Sequence, residues 1–90
     1  VFSMNSYDLV GMKVDNNPDG QGVIILDISP ESEAYQKNIR KGDIITEIGN
    51  IKITSTSDYD NALKDYTSGD PIMMRIINNG NARYEAFEIK

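Results

Sequence analysis

The chain has 90 residues, 39% of them apolar, with a formal net charge of −5 and a sequence pI near 4.5. Such values describe one globular domain with a single, modest core. With neither His nor Cys, the chain excludes Ser-His-Asp and Cys-His nucleophile systems, imidazole and thiolate metal sites and disulfides. The acidic balance argues against nucleic acid and anionic membranes as partners.

No apolar run approaches the roughly 18 residues of a membrane span. Residues 1–8 (VFSMNSYD) do not read as the apolar stretch of a signal peptide. They read as a linker or extended segment on a piece of a longer protein, with the domain over 9–90. Residues 9–14 (LVGMKV) then form a short first strand. Asn16-Asn17-Pro18-Asp19-Gly20 is a turn cluster. Its oxygen-rich side chains do not amount to a calcium loop, because the bidentate Glu is missing and Pro18 interrupts it. Residues 23–28 (VIILDI) are apolar on both faces, as a central strand is. Ser29 and Pro30 predict a helix start, as N-cap and first helical residue, running to about Lys37 with Asn38 as a left-handed stop.

Lys41-Gly42-Asp43 is a turn into a strand over 44–48. Gly49-Asn50 is a two-residue hairpin signal of type II′, returning along Ile51–Thr54. The main helix reads from Ser55 to Tyr66, with a capping-box-like start from Ser55 with Asp58 or from Ser57 with Asp60. Tyr59, Ala62, Leu63 and Tyr66 recur at helical spacing. Strands over 72–77 and 83–89 close the chain around Asn78-Asn79-Gly80-Asn81. The order ββαββαββ predicts an α+β domain with a mostly antiparallel sheet.

Three stretches taken in order resemble the PDZ family. They are Leu9-Val10-Gly11-Met12, then Ser29-Pro30-Glu31-Ser32-Glu33-Ala34, then Asn38-Ile39-Arg40-Lys41-Gly42-Asp43-Ile44-Ile45. The resemblance is closest to PDZ domains of bacterial HtrA/Do-type serine proteases, and within those to the second such domain. It departs from the family at Asn38, where Gly is usual, and at Gly49-Asn50, where the order is usually reversed. The resemblance implies a five- to six-stranded, partly open barrel or sandwich capped by two helices. It also implies a peptide-binding module of a periplasmic protease whose catalytic domain lies elsewhere. Expected partners are peptide C-termini, unfolded segments and other domains or subunits of the parent protein. No catalytic residue, metal or cofactor is expected in this chain. The alternatives are a PDZ domain of another parent (a tail-processing protease, a membrane-embedded metalloprotease, a secretion scaffold) and a structural module with no open groove.

Carried onto this sequence, the family's roles give a concrete site. The N–H groups of Val10, Gly11 and Met12, in the loop opened by Leu9, would hold a terminal carboxylate, and Gly11 would let the backbone approach the ligand. Met12, Lys13 and Val14 would pair with the peptide as an added strand. Thr56, Asp60 and Leu63, at helical spacing, would form the opposite wall. Val10, Met12, Val14 and Leu63 would line the pocket for the last side chain, and Asp60 would favour a polar or basic residue upstream. Lys37, Arg40 and Lys41 read as a solvated turn surface that contacts another domain of the parent.

Overall fold

The computed structural model describes residues 8–89, and its elements follow the order read from the sequence. They are β1 (Met12–Asn16), β2 (Val23–Ile28), α1 (Glu33–Gln36), β3 (Ile44–Ile48), β4 (Ile51–Lys52), α2 (Thr56–Leu63), β5 (Pro71–Asn78) and β6 (Asn81–Glu88). Every described strand pair is antiparallel. The sheet runs β1-β2-β3-β5-β6, with β4 hanging from β3 alone. β1 and β6 end this order without pairing to each other, so the sheet is not closed and the expected α+β architecture holds.

Alternation of side chains drives the packing. In β5, Ile72, Met74 and Ile76 point inward and meet Val23, Ile25, Ile45 and Ile48 from the central strands. β2 lies between β1 and β3, as its two-faced apolar run predicts. Its alternation breaks at a bulge, where Lys13 pairs with Asp27 and Val14 with Ile25: Leu26 (50% exposed) and Asp27 are both exposed, and Ile28 returns to the core. The β5–β6 turn is Asn79-Gly80, with positive φ at both residues (52° and 81°), as a type I′ hairpin requires. At Gly49-Asn50 only the first residue has positive φ, which matches the type II′ expectation.

The helix ends differ from the expectation, most of all at the start of α1. α1 starts at Glu33, and its N-cap is Ser32, whose Oγ accepts the Tyr35 N–H at 3.1 Å. Ser29 is one turn too early: its Oγ accepts the Glu31 N–H and its carbonyl the Ser32 N–H, which makes a turn ahead of the helix. The left-handed stop at Asn38 is present, with φ of 66°. The Asn38 N–H donates to the Tyr35 carbonyl and the Ile39 N–H to the Ala34 carbonyl, a complete Schellman pair. Further corrections are shorter. β1 begins at Met12, so Leu9, Val10 and Gly11 are loop; β4 is only two residues; and α2 ends at Leu63, leaving Tyr66 beyond it. In the basic cluster, Arg40 stacks on the Tyr35 ring at 3.6 Å and donates to the Tyr35 and Ile39 carbonyls. The expected 1–8 segment lies outside the described residues except for Asp8.

Candidate functional site

One edge of β1 is taken by β2, and its other side faces α2. α2 is fixed beside it from its first turn. The Ser55 Oγ accepts the Asp58 N–H, and the Asp58 carboxylate accepts the N–H of Thr54 at 3.0 Å and the Thr54 hydroxyl. Of the two helix starts the sequence allowed, the Ser55–Asp58 one forms, with the Asp58 carboxylate reaching back to Thr54 rather than to Ser55. Asn16, the last residue of β1, accepts the Thr56 N–H on its Oδ1 at 2.9 Å. This bond satisfies a donor at the helix start with a side chain from the strand, and it joins the far ends of β1 and α2.

The other end of this edge is the loop entering β1. Gly11 has φ of +83°, and a Cβ there would lie 2.7 Å from the Ser32 Cβ. The close approach that requires glycine is therefore to the N-cap of α1. Its carbonyl accepts the Ser29 N–H at 2.8 Å, which ties the loop to the same turn. The three N–H groups expected to hold a peptide carboxylate all have acceptors within the chain. Asp8 Oδ1 accepts from Val10 at 2.9 Å and from Met12 at 3.1 Å, and the Asp8 carbonyl accepts from Gly11 at 3.0 Å. The other carboxylate oxygen, Oδ2, accepts the Tyr59 hydroxyl of α2 at 2.7 Å. Asp8 thus joins the loop, β1 and α2.

The remaining expected residues divide by burial. Met12 (1% exposed), Val10 (4%) and Leu63 (8%) belong to the core, and Val14 packs partly buried against it. Lys13 and Asp60 are exposed and Thr56 is half-buried; Leu9 is exposed on the loop. Of the four side chains expected to line the apolar pocket, three are thus buried in the core and Val14 lies at its margin. A cavity of about 240 Å³ lies on the other side of the loop, bounded by Asp8–Gly11, the α1 turn and Phe87–Ile89. Sequence reasoning missed Asp8, Asn16 and the Tyr59 hydroxyl. For Asp8 the signal was present: an Asp just before a loop tends to accept from the N–H two residues on.

Two carboxyls shift in opposite senses. Burial pushes Asp8 up, against the lowering effect of its bonds from Tyr59, Met12 and Val10. The bonds from the Thr54 hydroxyl and N–H hold Asp58 down. A lowered folded value means that the stability Asp58 contributes is present above the ordinary carboxylate range and lost as pH falls through the folded value. Asp58→Ala is expected to lower the thermal midpoint at neutral pH, and the gap to the parent chain is expected to shrink in strong acid. Thermal unfolding at the two pH values checks this.

A family model of the PDZ domain matches residues 4–89. A protein of Brucella suis named a probable periplasmic serine endoprotease DegP-like is 27% identical over 86 residues, covering 93% of this chain and 17% of that protein. Its namesake in Bartonella henselae is 30% identical over 81 residues, covering 88% of this chain and 16% of that protein. The chain therefore spans about one sixth of these relatives' length. Among solved structures, the HtrA3 PDZ domain bound to a phage-derived ligand (FGRWV) superposes with a TM-score of 0.69 at 17% identity, covering 89% of this chain and 80% of that one. The second domain of the listeria protein Lin2157 gives 0.65 at 19% identity, covering 76% and 67%.

Proposed function

The chain belongs to the PDZ domain family, and from that premise we propose that it is the peptide-binding module of a periplasmic HtrA/Do-like serine endopeptidase. Its role is to recognise substrates or regulate the protease, and the protease's catalytic domain is a separate part of the parent. The observation that carries the reading is the side of β1 that no described strand takes, lying against α2 and joined to it through Asn16 and, by way of the entering loop, Asp8. A strand edge beside a helix lets an extended peptide add as one more strand, with main-chain bonds for affinity and alternate side chains for specificity. Met12, Lys13 and Val14 supply that edge, and the Leu9–Gly11 loop bounds it. Thr56, Asp60 and Leu63 form the facing wall. Apolar contact is offered by Val14, partly buried, with Met12 and Leu63 behind it in the core. The names of the relatives support the parent and the periplasm.

The test is fluorescence polarisation with labelled FGRWV, the pentapeptide bound to the HtrA3 domain, as free acid and as C-terminal amide. Saturable binding of either form is expected. Methylating backbone nitrogens at alternate positions is expected to weaken one alternation by about tenfold, the equivalent of roughly one lost main-chain bond. Equal binding of both alternations would remove strand addition, and no binding of any form would remove the peptide-binding reading. The buried Met12 and Leu63 favour one second reading, a structural module that packs against neighbouring domains of the parent; the same absence of binding would support it.

A further inference from the structure

A loop that takes a chain end needs free N–H donors, and here three successive donors are already engaged. Asp8 provides one carboxylate oxygen to Val10 and Met12 and its carbonyl to Gly11. It is held in that position from the opposite wall by the Tyr59 hydroxyl. Bonds from N–H groups to a carboxylate are charge-assisted and about twice as strong as neutral ones. An incoming terminal carboxylate would exchange with an equivalent group already in place and gain no bonds. It would also bring a second negative charge within a few ångströms of the first, which is unfavourable even at surface dielectric. Asp60 lies close enough to act on Asp8, and its negative charge adds to this cost.

We propose that Asp8 is a built-in occupant of the carboxylate nest, so that the groove selects internal extended segments of a chain rather than free C-termini. This rests on the peptide-binding reading above. A segment whose backbone continues past the loop brings no charge to it and still finds the β1 edge. Asp8 is therefore a specificity-determining residue: with it in place, the ligand is the interior of an unfolded or extended stretch.

The experiment compares three labelled forms of FGRWV on the folded chain: the free acid, the C-terminal amide, and an amide extended by several residues so that the apolar stretch is internal. The parent chain is expected to bind the amide and extended forms at least as tightly as the acid. Asp8→Ala empties the nest and is expected to shift the acid-to-amide ratio by about tenfold or more towards the acid. Asp8→Asn keeps the shape and the acceptor but not the charge. It is expected to shift the ratio in the same direction by less, and it carries the test if the alanine variant does not fold. A parent chain that prefers the acid tenfold, or a ratio unmoved in the folded variants, would overturn the inference and leave the peptide-binding reading standing. Failure of every form to bind would overturn both.

Discussion

Gly11→Ala is expected to cost about 3 kcal/mol of folding stability, from about 1–2 for the left-handed backbone and the rest from overpacking. In a domain of this size that corresponds to a fall of roughly 12–24 °C in the thermal midpoint. The backbone contribution comes from φ of +83°, and the overpacking from the added Cβ, which would sit 2.7 Å from the Ser32 Cβ. Ser32 cannot easily give way. Its Oγ donates to the Ser29 carbonyl while accepting the Tyr35 N–H, so moving it uncaps α1. Gly80→Ala isolates the two contributions, because φ there is also positive (+81°) but an added Cβ meets nothing within 4 Å. It is expected to cost only the backbone part, about 1–2 kcal/mol. Equal losses in urea-unfolding midpoints for the two variants would show that Gly11 is glycine for its φ alone, and that the loop does not lean on α1.

Why the fold was legible and part of the site was not follows from where the information sits. The strands announce themselves through alternation, as at Ile72, Met74 and Ile76, and the turns through residues with a local reason to be there. Asn38, Gly49 and Asn79-Gly80 all adopt the conformations their chemistry favours. These are short-range properties, and a single sequence carries them. The start of α1 is also short-range, but the sequence places it one turn early. Ser29, next to Pro30, reads as a cap, but Ser32 takes the role because its Oγ reaches the Tyr35 N–H. The occupancy of the loop is different in kind. Asp8 meets Tyr59 across 51 positions, and Asn16 meets Thr56 across 40. Neither separation has any periodic trace in the sequence. Burial of Leu63 was equally hidden, because helical spacing places it both near Tyr59 and Ala62 and on the face shared by Thr56 and Asp60. Which side faces the core depends on where β1 sits.

That ambiguity at Leu63 leads to the largest expected effect, in Leu63→Asp, which is expected to lose at least about 4 kcal/mol and leave the domain largely unfolded. Leu63 is 8% exposed and packs in the core. Truncating a buried leucine alone costs about 2–5 kcal/mol, and an unpartnered carboxylate in its place adds the penalty of a buried charge. No cation on α2 relieves it within a helical turn towards the N-terminus, where Asp60 stands three residues earlier and repels it. A domain of this length holds only about 5–15 kcal/mol in total. The contrast is Thr56→Asp on the same helical face, seven residues earlier. Thr56 is half-buried at the first position of α2, where a negative charge is favoured by the helix dipole, and its own N–H is satisfied by Asn16 rather than by its side chain. That variant is expected to stay folded, with a midpoint within a few degrees of the parent's. Leu63→Met, which conserves volume, is also expected to fold, at a cost below about 1.5 kcal/mol, and so reports on peptide affinity without the confounding loss of structure. Thermal melts followed by circular dichroism separate the three. If Leu63→Asp melts as cooperatively and as late as Thr56→Asp, then the Leu63 side chain opens to the groove in solution, and α2 stands further from β1 than its core contacts require.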